Sequence, residues 1–134
     1  MRIGELAKKS DCRIETIRYY EREGILPEPQ RSASGYRMYR PEHLEELKFI
    51  RHCRSLDMPL AEIKALLNFR HHPEMACNEI DLLLERHMDV VKERIAQLQL
   101  LDKQLKTLRR CCCEQRTVSE CGILQSLNTA ADSR

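Results

Sequence analysis

Residues 13–40 read RIETIRYYEREGILPEPQRSASGYRMYR, and their interpretation decides the fold. The first half predicts a helix that starts near Arg13 and stops at Gly24, a residue type suited to the position just past a helix end. Ile14, Ile17 and Glu21 line one face of it, and Thr16, Arg18, Tyr19 and Arg22 spread over the others. Pro27 and Pro29 forbid any continuation of helix. Ser32, Ala33, Ser34 and Gly35 make a turn, after which Tyr36 and Met38 alternate with Arg37 and Tyr39 as in a short strand. The second half is therefore expected to be a small β-hairpin, a wing.

Upstream, Ile3, Leu6 and Ala7 stand at i, i+3, i+4 spacing and predict a short amphipathic helix broken at Ser10 and Asp11. Two short helices across a break of three or four residues make a helix-turn-helix. Downstream, Pro41 suits the first position of a helix carrying Leu44, Leu47, Phe49, Ile50 and Cys53. Pro59 opens another with Leu60, Ile63, Leu66 and Leu67 on one face. Between Glu74 and Cys121 there is neither Pro nor Gly. A single helix is expected from about Asn78 to Arg110, roughly 50 Å long at 1.5 Å per residue. Its apolar residues include Leu84, Val91, Leu98 and Leu105 at seven-residue steps, with Ile80, Leu101 and Leu108 near the same seam. His87 and Arg94 interrupt the other seam. A small domain cannot bury such a stripe, so pairing with a second copy as a coiled coil is favoured over folding back onto residues 41–70. A short helix GILQSL (122–127) and an unstructured polar tail are expected to close the chain.

Composition narrows the function. The chain has 134 residues, 42% hydrophobic and 33% charged, enough apolar side chain for a core. No apolar run approaches the ~20 residues of a membrane span, and MRIGELAKKSD lacks the apolar core of a signal peptide. A cytoplasmic, nucleoid-associated protein is expected. Net charge is only +2, but the first 54 residues carry 12 Lys/Arg against 9 Asp/Glu, so the basic excess lies on the part expected to meet a polyanion. Arginine can read guanine in the major groove. Tyrosine, threonine and further arginines can hold phosphates. Arg13, Thr16, Arg18, Tyr19 and Tyr20 on the second helix, with Arg18, Tyr19 and Tyr20 expected on its exposed side and a core place for one of the two tyrosines as the alternative, and Arg31, Tyr36, Arg37 and Arg40 in the wing are thus candidates for DNA contact. No Gly-rich phosphate loop, Ser-His-Asp set or open zinc site is present, and no enzyme is expected. His71 and His72 are read as solvated or connector residues.

Seven cysteines in a chain without an export signal point to metal or redox chemistry more than to disulfides. Cys12 and Cys53 are read as small structural residues. Cys77 stands at the mouth of the long helix, Cys111, Cys112 and Cys113 at its end, and Cys121 beyond. Cys77 and Cys112 are separated by about 52 Å of helix, so one chain cannot close both on one ion. An antiparallel dimer would bring Cys77 of one chain beside Cys112 of the other, at two equivalent sites. Cys77, Cys112 and Cys121 offer three soft thiolates and no nitrogen, which suits Pb(II), Cd(II), Hg(II), Zn(II) or Cu(I). Zinc normally asks for four ligands, so a large soft ion is favoured. Cys111 and Cys113 are spare, or supply a fourth ligand.

IGELAKKSDCRIETIRYYEREGILPEP (3–29) with GYRMY (35–39) resembles the N-terminal domain of the MerR family of bacterial transcription regulators. RHCRSLDMPLAEI (51–63), Cys77, and Cys112…Cys121 followed by GILQSL look most like its Pb(II)- or Cd(II)-responsive members. The resemblance implies a mainly α fold: a winged helix-turn-helix with connecting helices (1–70), a linker and antiparallel coiled-coil dimerisation helix (71–110), and a metal-binding loop, short helix and tail (111–134). It implies a homodimer on promoter DNA that represses without metal. With metal it distorts the DNA so that RNA polymerase aligns with the promoter. The same resemblance assigns DNA contact to Arg18, Tyr19, Tyr20, Arg31, Tyr36 and Arg37, and metal to Cys77, Cys112 and Cys121. The cysteine triplet exceeds the family pattern. Mercury sensors of the family share a similar loop, so Hg(II), and Zn(II) with it, stay open as effectors. A cytosolic thiolate metal buffer would explain the cysteines but not the basic-aromatic helix and wing. An iron–sulfur sensor fits poorly, since its cluster wants four closely placed cysteines.

Overall fold

The computed structural model describes residues 1–112 and 117–132. Among these the order is α1 (Ile3–Ser10), α2 (Ile14–Arg22), β1 (Gln30–Arg31), β2 (Arg37–Met38), α3 (Pro41–Ser55), α4 (Leu60–Arg70), α5 (Asn78–Arg109) and α6 (Gly122–Asp132), with a 3₁₀ turn at Val118–Glu120 before α6. The fold is mainly α. The chain divides into two units, Met1–Leu84 and Glu85–Arg134.

The first unit is a winged helix-turn-helix with two following helices. In α1 the i, i+3, i+4 residues face inward: Leu6 is fully buried, and Ile3 and Ala7 pack against the core. The helix ends at Asp11, whose φ of 54° is left-handed. α2 buries Ile17 and Tyr20. Its end follows from Gly24, at φ 72°. The Gly24 N–H donates to the Glu21 carbonyl (3.1 Å) and the Ile25 N–H to the Tyr20 carbonyl (3.0 Å), the paired bonds of a Schellman stop. Tyr20 and Ile25, the two positions whose apolar contact often accompanies such a stop, are both core residues. A Cβ at Gly24 would carry the left-handed penalty of about 1–2 kcal/mol.

The wing pairs Gln30 with Met38 and Arg31 with Arg37 in antiparallel register. The turn is closed by Ser32 N–H to the Tyr36 carbonyl (2.7 Å) and Gly35 N–H to the Ser32 carbonyl (2.9 Å). Beyond the strand, Tyr39 N–H donates to the Met1 carbonyl at 2.7 Å and the Met1 ammonium donates to the Tyr39 carbonyl at 2.8 Å. The Tyr39 ring is buried and meets His43 edge-on. His43 joins two segments: its Nδ1 accepts the Arg40 N–H (2.9 Å) at the start of α3, and its Nε2 lies 3.1 Å from the Pro27 carbonyl. A carbonyl only accepts, so Nε2 carries the proton.

Leu47, Ile50 and Cys53 of α3 and Ile63 and Leu67 of α4 complete the core. Leu6, Ile17, Leu26, Leu47, Ile50 and Ile63 are the largest fully buried side chains, each stabilising the fold by about 1.5–3 kcal/mol relative to exposure. Burial pushes the Cys53 thiol pKa up, in keeping with a packing role. His71, read as a solvated or connector residue, is exposed, caps α4 and pairs with the buried carboxylate of Glu46. Its spacing from Glu46 crosses two helices, so periodicity along one helix did not reveal the pair.

In the second unit, α5 carries an exposed apolar series that includes Val91, Ile95, Leu98, Leu101 and Leu105. His87, expected to interrupt a seam, is buried. α6 corrects the expected tail: it extends past the GILQSL segment to Asp132. Thr129 Oγ1 donates to the Gln125 carbonyl at 3.0 Å, and Ala130 and Ala131 are strong helix formers. The polar appearance of the segment concealed that propensity.

Candidate nucleic-acid interface and metal centre

α2 presents two chemically different faces. Inward lie Ile17, Tyr20 and the half-buried Glu21; outward lie Arg13, Glu15, Arg18, Tyr19 and Arg22. Arg13 precedes α2 in an extended conformation at its N-terminus. Tyr19 is 40% exposed and Thr16 half-buried. Glu15, Thr16, Tyr19, Tyr20, Arg54 and Leu60 line a shallow depression beside this face. Tyr20 departs from the expected exposure: it is 8% exposed and part of the core, and burial is the main cause of its raised pKa. One residue is a 100° step on a helix, so adjacent tyrosines divide between surface and core. Their ring centroids are 5.9 Å apart.

The wing is fixed to α2 by one carboxylate. Glu21 Oε2 accepts from Arg37 Nη1 at 3.1 Å, and Glu21 Oε1 accepts from the Tyr39 hydroxyl at 2.5 Å. The Glu21 side chain is 8% exposed and that of Arg37 40%. Burial, followed by the hydrogen bond to Glu21 and its negative charge, pushes the Tyr39 phenol up to about 12 against the opposing pull of Arg37. Arg37 is therefore partly engaged inside the protein. Arg31 Nη1 donates to the Gly35 carbonyl at 3.1 Å and remains exposed. Tyr36, 53% exposed, lies under the Arg2 guanidinium at 4.1 Å. Sequence reading missed Glu21 as the joint and Arg2 as a wing neighbour. Glu21 sat in the expected inward stripe as a charge among apolar residues, and that was the available signal.

The turn itself is braced from α3. Arg51 Nη2 donates to Asp11 Oδ2 at 2.7 Å and its Nη1 to the Ser10 carbonyl at 3.4 Å. Cys12, half-buried here, donates its thiol to the Ser10 carbonyl at 3.6 Å. Helix, turn and wing are thus held as one body by contacts within the first unit.

Cys77 is exposed and immediately precedes α5, its carbonyl accepting the Asp81 N–H at 3.1 Å. Cys121 has the same place before α6: it is half-buried, and its carbonyl accepts the Gln125 N–H at 3.1 Å. At the end of α5, the Cys111 and Cys112 amides bond back to the Leu108 and Arg109 carbonyls at 3.0 and 3.1 Å. The Cys111 thiol turns back to the Thr107 carbonyl at 3.7 Å, while Cys112 is exposed. Cys113 lies outside the described residues.

The start of α6 closes on Cys111. A Cβ built on Gly122 would lie 2.1 Å from the Cys111 carbonyl oxygen and 3.1 Å from its carbon. The residues following Cys121 and preceding Cys112 therefore touch through backbone, which places these two thiol-bearing segments side by side. Among the described residues, no group of three or more His, Cys, Asp or Glu side chains is placed to hold a metal ion within one chain. No helix among them is long and apolar enough to cross a membrane.

Comparison with known proteins assigns the family. A model described as MerR HTH family regulatory protein matches residues 1–69, and one described as MerR, DNA binding matches residues 44–108. The chain is 50% identical to the transcription regulator PbrR691 from Ralstonia metallidurans CH34, solved in complex with lead(II), with a TM-score of 0.85 over 95% of this chain and 98% of that one. It is 32% identical to the regulator MerR from Bacillus megaterium MB1 in complex with mercury(II), with a TM-score of 0.72 over 95% and 98% of the two chains. It is 44% identical, over 89% of its own length and 84% of the relative's, to the ZntR homolog of Haemophilus influenzae, an HTH-type transcriptional regulator. The chain belongs to the MerR family of helix-turn-helix transcription regulators.

Proposed function

We propose that the protein binds promoter DNA as an antiparallel homodimer and activates metal-resistance genes when Pb(II), or Cd(II), binds three cysteines. The observation that carries the metal half is the backbone contact between Gly122 and Cys111, which sets the Cys121 segment beside the Cys112 segment. Cys112 and Cys121 would supply two thiolates from one chain, and Cys77 of the second copy the third. Free, soft thiols in this number fit a large soft cation. Bound there, the ion supplies a covalent-like cross-link between the loop and the partner helix. Cys111 is turned toward its own helix, which favours Cys112 as the ligand. PbrR691 at 50% identity favours lead, and the mercury-bound relative and the ZntR homolog keep Hg(II) and Zn(II) as the competing effectors.

For the DNA half, Arg13, Thr16, Arg18 and Tyr19 form the groove-facing side, and Arg31, Tyr36 and the partly engaged Arg37 the flanking wing. Tyr20 contributes by holding Tyr19 from the core. The reading assigns residues 1–70 to DNA binding, 71–110 to linkage and dimerisation, and 111–134 to metal. The exposed apolar series on α5 supports pairing with a second copy. Transcription is activated indirectly, by a DNA shape that polymerase can engage. The test is in vitro transcription from the protein's own upstream promoter with the reduced full chain, titrated with Pb(II), Cd(II), Hg(II) and Zn(II). Activation at the lowest free concentration by Pb(II) or Cd(II) is expected. Activation by Hg(II) or Zn(II) alone would reassign the effector, and metal binding with no specific operator binding would make the protein a thiolate buffer.

A further inference from the structure

We propose that Gly122 is a positioning residue for the metal site: the missing side chain lets the start of α6 rest on the Cys111 carbonyl and so sets the separation of Cys121 from Cys112. The proposal rests on the reading of those two cysteines as ligands.

The φ of Gly122 is not left-handed, so its backbone is open to any residue. What it lacks is room. A Cβ would stand 2.1 Å from the Cys111 oxygen, 3.1 Å from the Cys111 carbonyl carbon and 3.4 Å from the Cys111 Cβ. The two nearest of these are backbone atoms, which cannot swing aside as the end of a flexible side chain would. Cys111 is also fastened at two further points, its amide to the Leu108 carbonyl at 3.0 Å and its thiol to the Thr107 carbonyl at 3.7 Å. On the other side, the Cys121 carbonyl accepts the Gln125 N–H, which ties Cys121 to the first turn of α6. An alanine at 122 therefore has to part the two segments. Each contact residue adjoins a ligand of the proposed site, Cys112 following Cys111 and Cys121 preceding Gly122, so parting them moves the two thiols apart.

Two effects oppose each other in sign. By helix propensity alone, alanine at the first residue of α6 should do better than glycine. By the close approach, alanine should open the site. Geometry around a metal is sensitive to such support: loss of a supporting partner typically weakens metal affinity by about 10–100-fold.

The experiment titrates the full-length reduced protein with Pb(II) alone. It follows the near-ultraviolet thiolate-to-lead charge-transfer band, whose intensity reports the thiolates bound, for wild type, Gly122→Ala, Cys111→Ser and Cys121→Ser. Operator affinity without metal and far-ultraviolet circular dichroism are recorded for each. Gly122→Ala is expected to weaken Pb(II) binding about 10–100-fold and to lower the band intensity at saturation, with operator affinity and helix content unchanged. Cys111→Ser, which keeps the carbonyl and a donor to Thr107, is expected to bind as wild type. If Gly122→Ala binds Pb(II) as wild type while Cys121→Ser does not, the positioning role is overturned and the ligand reading stands. If Cys121→Ser also binds as wild type, the ligand reading fails and takes the proposal with it. If Cys111→Ser loses the band, Cys111 acts through its sulfur, and the assignment of its carbonyl as the support is wrong.

Discussion

At the scale of single residues, Glu21 holds α2 and the wing together. Its carboxylate takes the Tyr39 hydroxyl on one oxygen and the Arg37 guanidinium on the other. Tyr39→Phe removes one donor from a buried charge while Arg37 remains, so a loss of about 1.5–3 kcal/mol is expected in urea unfolding at pH 7. The pH dependence has a definite sign. Tyr39 is raised from 10.0 to about 12 in the fold, so its stabilisation is complete below pH 10 and is lost as pH rises through about 12. Wild type should therefore lose stability across that window more steeply than Tyr39→Phe, and equal slopes would discount the linkage. Arg18, exposed on α2, is assigned to base or phosphate contact. Arg18→Ala is expected to weaken operator binding by about 1–3 kcal/mol, measured by fluorescence anisotropy at fixed salt, with unfolding midpoint unchanged. Which residues are polar and basic was evident from the sequence. Which of two neighbours turns inward was not: Tyr19 and Tyr20 are alike in type, and only the packing around Ile17 and Ile25 separates them. Arg37 likewise looked like a free DNA ligand, because its partner lies on a different element.

The elements themselves were largely legible because their signals are local. Gly24, Pro27 and Pro29, the Ser32–Gly35 turn and Pro41 each act over a few residues, and each marks a boundary near where the structure has it. α5 followed from the absence of Pro and Gly combined with a recurring apolar step. α6 runs further than its polar residues suggest, since two alanines and a side-chain bond to the preceding turn offset Asn and Thr. α5 also carries a prediction. Leu98 is 54% exposed in the isolated chain, lies within α5 and is not among the residues proposed for DNA or metal contact. Leu98→Asp is expected to shift the protein from dimer to monomer in sedimentation velocity, while leaving helix-turn-helix packing intact. A dimer of undiminished stability would place the interface elsewhere, since burying an unpaired carboxylate is costly.

For the whole molecule, the proposed metal site is one shared between copies. The spacing of Cys77 and Cys112 already points to that sharing in the sequence, and no triad of candidate ligands is gathered among the described residues of one chain. Mixing two defective proteins tests the sharing directly. Cys77→Ser alone and Cys112→Ser/Cys121→Ser alone should each lack the Pb(II)–thiolate band. In a mixed dimer, one site inherits both defects and the other none. Re-equilibrated mixtures should therefore regain the band, at one ion per mixed dimer, measured by absorbance with mass spectrometry. Failure to regain it after verified subunit exchange would mean that each chain builds its own site.

The division of α2 into an anchored face and a free face has a bearing on how such regulators change their target. Residues 15, 18 and 22 are exposed on the side away from Ile17, Tyr20 and Glu21, whereas the Tyr19 ring lies against that of Tyr20. With this face assigned to DNA as proposed, operator preference can drift, or be re-engineered, by surface replacements alone, provided the carboxylate at 21 is kept. A library randomised at the free positions should be rich in folded variants, and one that also varies position 21 should be poor in them, because that single carboxylate ties the wing to α2.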